Sequence, residues 1–262
     1  MRLSNDTVQF EQDGHLAIVT LNRPEAMNSI NPLVGYALHE AFSEVRDNDS
    51  IWVAILTGAG DRAFSAGADL KWRSENEDKV RDPGAGTGGV ILSAEFECWK
   101  PVIAAVNGYA VGGGLELAIA CDLIVAAERA QFGLPEPRRG LMADAGGVNG
   151  VSRQLPAKLA MELILTGSFI SARRAAEMGL VNRVVENEKL LESARELADE
   201  IMQCSPIALQ AAKQAVVLGS ELPYSEALKS EFSMFTKLKN SHDFTEGPRA
   251  FAEKRAPVWE GA

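Results

Sequence analysis

Residues Lys100–Asp122 read KPVIAAVNGYAVGGGLELAIACD. Their reading decides the fold class. Pro101–Val106 is a short apolar run and predicts a buried strand. Asn107-Gly108 marks a turn. Gly112, Gly113 and Gly114 follow, and an apolar helix is expected from near Leu115. A helix start carries unpaired N–H groups and partial positive charge. Glycines there let another molecule approach the backbone. Within the apolar helix the one acid is Glu116. A bare backbone donor beside a carboxylate can polarise a carbonyl and move a proton.

The same alternation extends outward. Val8–Glu11 and Leu16–Leu21 flank Asp13-Gly14 and predict a hairpin. Asn31-Pro32 opens a helix over Leu33–Asp47, with apolar residues at helical spacing. Trp52–Thr57 reads as a strand, and Phe64–Gly67 leads to a helix near Ala68. Trp72–Gly89 is polar and ends glycine-rich, which suggests a mobile loop with a short helix; Ile91–Trp99 reads as helical. Leu123–Ala126 and Ala130–Gly133 predict further strands. Then helices dominate: Val148–Leu155, Ala157–Leu165, Ala172–Met178, Leu190–Cys204, Pro206–Leu218 and Tyr224–Leu238, with Val181–Val185 as the one late strand. The plan is α/β over residues 1–190 with a helical region over 191–262.

Composition narrows the function. The chain has 262 residues and a formal net charge of −10, which argues against a nucleic-acid partner. The N-terminus has no signal-peptide pattern and no apolar run reaches membrane-spanning length, so no membrane partner and a cytoplasmic location are expected. Cys98, Cys121 and Cys204 are too scattered for a disulfide framework, and buried free thiols are expected. His15, His39 and His242 lack metal-ligand spacing, so no metal is expected. Gly84–Gly89 and Gly58–Ala63 resemble glycine-rich nucleotide loops but lack the surrounding strand–helix context. No G-x-S-x-G elbow occurs.

What remains is a paired design. "FSAGADL" and "VGGGLEL" each offer a backbone N–H at a helix start, at Ala68 and at Gly113. Two such donors on one oxygen make an oxyanion hole. Two carboxylates accompany them. Glu116 is favoured as an ionised base by the helix start; Glu136, stiffened between Pro135 and Pro137, is left as the acid. Asp144, in "MADAGGVNG", suits an N-cap of the next helix or a third proton carrier.

These segments together resemble the crotonase (enoyl-CoA hydratase/isomerase) superfamily. The resemblance runs nearly end to end through "LNRPEAMNSI", "AFSAGADL", "KPVIAAVNGYAVGGGLELAIACD", "AQFGLPEPRRGL", "LILTGSFISARRAAEMGLVNRVV" and "EGPRAFAEKRAP". It implies a spiral of ββα units with a C-terminal helical region, assembled as a homotrimer or dimer of trimers. It also implies an acyl-CoA thioester substrate, with coenzyme A as part of the substrate and no separate cofactor. Ala68 and Gly113 would hold the thioester oxygen. Glu116 and Glu136 would serve as base and acid in reversible hydration of a trans-2-enoyl-CoA to a 3-hydroxyacyl-CoA. Arg23, Ala26, Asn28, Ala66, Asp69 and Leu70 would line the CoA site, and Phe251 and Lys254 would reach it from a neighbouring helix or subunit. Lys71 and Arg73 are further candidates for the phosphates. Asp144 departs from the hydratase pattern, where glycine is common. An acid there resembles dienoyl-CoA isomerases and carnitinyl-CoA dehydratase-like members, although the former carry Asp in place of Glu116. The alternative is therefore a double-bond isomerase or a carnitinyl-CoA dehydratase-like enzyme using Asp144. A non-catalytic CoA-ester or protein-binding module is disfavoured by the intact glutamate pair.

Overall fold

The computed structural model describes residues 3–76 and 96–261. It opens with the hairpin β1 (Val8–Asp13) and β2 (Leu16–Leu21), followed by α1 (Pro32–Asp47), β3 (Val53–Gly58), β4 (Ala63–Ser65) and α2 (Leu70–Glu75). The quoted stretch forms β5 (Val102–Val106), β6 (Tyr109–Val111) and α3 (Gly113–Ala120). Then come β7 (Leu123–Ala127), β8 (Gln131–Gly133), α4 (Gly147–Gln154), α5 (Ala157–Thr166), β9 (Phe169–Ser171), α6 (Ala172–Glu177) and β10 (Arg183–Val185). The chain ends in α7 (Leu190–Met202), α8 (Pro206–Gly219), α9 (Tyr224–Ala227), α10 (Ser233–Lys239) and α11 (His242–Glu253). Among the described residues no helix is long and apolar enough to cross a membrane.

Two sheets organise these elements. The larger has order β1-β2-β3-β5-β7-β10, parallel except for the β1–β2 hairpin. Every residue of β5 is buried, as expected of a parallel strand covered on both faces. Alternation by two sorts the side chains into two cores. Ala17, Val19, Ala54, Leu56, Ala104 and Ala126 meet α1 through Leu38, Ala41 and Phe42. Leu16, Ile18, Val53, Ile55, Ile103 and Val125 meet α7 through Leu190, Ala194 and Ala198. The first helix after the last strand is thus built into the sheet's second face.

The smaller sheet has order β4-β6-β8-β9. Its first three strands run parallel and adjacent, so their C-terminal ends lie side by side. Asn107 turns the chain from β5 into β6: its Nδ2 donates to Gly58 O and Gly60 O, both at 2.8 Å.

Several expectations need correction. Tyr109–Val111 and Phe169–Ser171 are short strands not anticipated, so Val181–Val185 is not the only late strand. The helix expected near Ala68 starts at Leu70. Residues 91–95 of the expected Ile91–Trp99 helix, and residues 77–89 of the expected loop, lie outside the described residues; Phe96–Trp99 is not helical. The Tyr224–Leu238 helix is broken in two, because the buried Gln214 Oε1 accepts from Met234 N at 2.8 Å and starts α10 afresh. Cys98 and Cys121 are buried free thiols, but Cys204 is exposed.

Candidate active site

The ends of β4, β6 and β8 deliver Ala68, Gly113 and Glu136 to one place. The β4 exit is held first. Ile30 N donates to Gly67 O and Asp69 N to Ile30 O, each at 2.8 Å. Gly67, at φ +80°, must be glycine: a Cβ there would lie 2.8 Å from Gly113 N and 2.7 Å from Val111 O. A Cβ on Gly113 would in turn lie 3.6 Å from Ala68 N. The two predicted donors therefore lie close together beside Gly67 and Gly113. Neither N–H donates to an acceptor among the described residues, so both are open to a ligand oxygen.

The β6 exit turns at Gly112, whose N–H donates to Gly133 O at 2.9 Å. Its φ of 57° and ψ of −129° suit glycine. A Cβ here would lie 2.6 Å from Glu136 Oε1, which places that carboxylate directly over the glycine turn. Glu136 opens the 3₁₀ turn Glu136–Arg139 after β8.

Glu116 sits in the first turn of α3 and is buried. Its Oε1 accepts from Gly147 N at 2.8 Å. That bond changes the reading of Asp144. The N-cap of α4 is Gly146, with φ 109° and no side-chain cap bond. The carboxylate of Glu116, arriving from another helix, takes the first N–H of α4 instead. Asp144 is thus not the expected N-cap; it is exposed and makes no hydrogen bond among the described residues.

The electrostatics correct a second expectation. The helix start was expected to keep Glu116 readily ionised. Burial instead pushes its carboxyl up, the Gly147 N–H opposes this, and the negative charges of Glu136 and Asp144 push it further. Burial also pushes Glu136 up; its own backbone N–H and then Arg139 oppose this, and Asp144 reinforces it. A backbone donor acts on each carboxyl, and what separates the two glutamates is the one oxygen of Glu136 left without a partner. Glu116 holds a backbone donor, which favours a carboxylate. Glu136 Oε2 is buried with no partner, which a proton on that oxygen relieves.

The residues expected to line a CoA site divide into two groups. Arg23, Ala26, Asn28, Ala66, Asp69 and Leu70 gather around one loop. Arg23 Nη1 pairs with Asp69 Oδ2 at 2.9 Å and donates to Ser29 O at 2.8 Å. Asp69 also caps α2 by accepting from Trp72 N. Burial pushes the Asp69 carboxyl up, but the Trp72 N–H and Arg23 outweigh it, and the net direction is down. Arg23 therefore already has a counter-charge, and Asp69 serves as cap and ion-pair partner. Asn28 is buried at φ 53°; its Oδ1 accepts from Arg23 N, and its Nδ2 donates to Ala59 O and Ala63 O. Ala66 N donates to Met27 O at 2.9 Å, and Leu70 is exposed. Phe251 and Lys254 stand apart. They lie at the end of α11, which packs on α8 and α10; both are exposed, and no hydrogen bond or ion pair among the described residues joins them to the Arg23 loop. Sequence reasoning missed Gly147 and Ser65. The double glycine Gly146-Gly147 was a visible signal; Ser65 had none.

The comparisons identify the family. The profile of the "Enoyl-CoA hydratase/isomerase" family matches residues 11–262. A carnitinyl-CoA dehydratase of Salmonella typhi is 44% identical over 261 residues, spanning 98% of this chain and 99% of that protein. The crystal structure of an enoyl-CoA hydratase from Mycobacterium marinum superposes with a TM-score of 0.90 at 41% identity, covering 98% of this chain and 99% of that one. One from Mycobacterium tuberculosis H37Rv gives 0.88 at 40% identity, with the same coverage. The adjacent strand ends, the two neighbouring N–H groups and these likenesses have one meaning: the chain belongs to the enoyl-CoA hydratase/isomerase family and has the crotonase fold.

Proposed function

We propose that this enzyme is a hydro-lyase that interconverts a 3-hydroxyacyl-CoA and a trans-2-enoyl-CoA, with a polar, cationic acyl group of the carnitinyl type as its substrate class. The observation that carries the chemistry is the asymmetric glutamate pair beside two unused backbone donors. Ala68 and Gly113 N–H groups stabilise the oxyanion that develops on the thioester oxygen. In hydration, Glu116, oriented by Gly147 N–H, takes a proton from water as its oxygen attacks Cβ. Protonated Glu136 delivers its proton to Cα. Dehydration reverses each transfer: Glu136 removes the Cα proton, and Glu116 protonates the departing hydroxyl.

The substrate class rests on Asp144 and on the dehydratase relative. The negative charge of Asp144 adds to those of the two glutamates and raises both carboxyls. A carnitinyl group carries a permanent ammonium charge, which would offset that crowding. The plain trans-2-enoyl-CoA hydratase reading uses the same residues and differs only in the acyl group. The test is a panel of crotonyl-, 3-enoyl-, dienoyl- and carnitinyl-CoA, followed by enoyl-thioester absorbance and by mass. Hydration or dehydration changes the mass by one water, whereas isomerisation leaves it unchanged. Preference for the neutral ester over the cationic one, unaltered in Asp144→Asn, would remove the proposed substrate class. We further propose a homotrimer or dimer of trimers, supported by the exposed apolar Val216, Leu228 and Phe251 of the tail; sedimentation tests it.

A further inference from the structure

The mechanism needs the Ala68 N–H to point at one spot, and the polar side chain bonded to the peptide just before it is Ser65. Its side chain is fully buried, where an unpaired hydroxyl is costly. It is paired on both sides: Ser65 Oγ donates to Asn28 O at 2.8 Å and accepts from Gly67 N at 3.1 Å. The next peptide joins Gly67 to Ala68. It is trans, so its C=O and N–H point in opposite directions. The Gly67 oxygen is tied down by Ile30 N at 2.8 Å, which leaves the Ala68 N–H aimed away from Ile30.

Gly67 alone does not hold that aim. At φ +80° it is in a conformation open to glycine, with no side chain to restrain it. The Ile30 bond fixes one end of the peptide; the Ser65 bond to Gly67 N fixes the pivot before it. Ser65 is anchored in turn. Asn28 is locked by Arg23, Ala59 and Ala63, and a Cβ on Gly114 would lie 2.1 Å from Ser65 O, so α3 lies directly against this residue.

We propose that Ser65 is a positioning residue: its hydroxyl bridges Asn28 C=O and Gly67 N–H and thereby fixes the direction of the Ala68 N–H that serves as an oxyanion donor. The proposal rests on the oxyanion reading of Ala68 and Gly113, but not on the identity of the acyl group. It also ties the donor to the loop expected to hold CoA, because Asn28 is shared by both.

The test uses butyryl-CoA labelled with carbon-13 at the thioester carbonyl, which binds without reacting. Infrared difference spectra read how strongly the donors polarise that carbonyl; calorimetry reads affinity. The wild-type protein should shift the carbonyl band to lower frequency. Ser65→Ala should bind with affinity within about threefold of wild type, yet lose much of that band shift, and kcat on the best panel substrate should fall about tenfold with KM little moved. That is less than the hundredfold or more expected when a donor is removed outright. Ser65→Cys keeps a weak donor and acceptor in a similar volume, so it should fall between the two and stands in if the alanine variant does not fold. An unchanged band shift in the variants overturns the positioning role. A wild-type protein with no band shift overturns the oxyanion reading and this proposal with it. A normal wild-type shift without water addition or loss on any ester would defeat only the hydro-lyase reading, and the comparison of variants would still decide the role of Ser65.

Discussion

Gly112→Ala is the sharpest single perturbation of the site. A methyl at residue 112 would lie 2.6 Å from Glu136 Oε1, and ordinary contact begins near 3.4 Å. The carboxylate must therefore retreat by about 0.8 Å, or the turn must open. A misplacement on the order of 1 Å at a catalytic group costs roughly a hundredfold in rate, equivalent to about 2.7 kcal/mol of barrier. The φ of 57° also disfavours alanine, and such strain costs about 1–3 kcal/mol of stability. The assay is initial-rate hydration or dehydration of the best panel ester, with thermal melting alongside. The expected result is a kcat lowered about a hundredfold, a nearly constant KM and a lower melting temperature. The double variant Gly112→Ala/Glu136→Gln decides the cause. If the methyl acts through Glu136, adding it to Glu136→Gln costs much less than the two single losses multiplied. A single variant whose kcat stays within about threefold of wild type would refute the reasoning. So would losses that multiply in full.

Three further outcomes are expected. Glu136→Gln should lower kcat by roughly two decades or more without lowering the melting temperature at neutral pH. Burial raises the Glu136 carboxyl above its ordinary value, so its contribution to stability is present below that ordinary value and lost as pH rises through the raised one; a marked drop in melting temperature would instead make it a structural residue. Asp144→Asn should move the acidic limb of the kcat/KM profile to lower pH, because Asp144 raises both glutamates while Arg139 lowers only Glu136; an unmoved limb would break that coupling. Arg255→Ala should lower the melting temperature and loosen residues 256–261. Arg255 and the Val258 N–H hold Glu246 down to about 2. That contribution is complete above the ordinary carboxylate value of 4.5 and fades only as pH falls toward about 2. An Arg255→Ala variant that melts at the wild-type temperature throughout pH 7 to about 4, and whose tail is no more open to proteolysis, would dismiss the clamp.

The long, periodic elements were legible because their signals are local. Asn31 and Pro32 start α1 as read, with Asn31 accepting from Val34 N, and Asp13-Gly14 turns the first hairpin. The failures occur where a partner distant in sequence intervenes. Gln214 restarts α10 by capping it from α8. Three-residue strands such as β6 and β9 carry too little pattern to stand out and exist because a neighbouring strand pairs with them. Asp144 had the right residue type and spacing for a cap, yet Glu116 occupies that N–H from across the site.

The sequence by itself determined the strand–glycine–helix units and the family, and it named the candidate donors and acids, because backbone freedom at glycine and hydrophobic period are properties of neighbouring residues. Only the tertiary structure decided how those acids differ. The adjacency of β4, β6 and β8 brings Ala68, Gly113 and Glu136 to one face. Burial raises both glutamates, and a backbone donor reaches Glu116 while Glu136 keeps an unpaired oxygen. Proton affinity depends on solvent exclusion and on neighbouring charges and dipoles in space, and residues far apart along the chain supply all three.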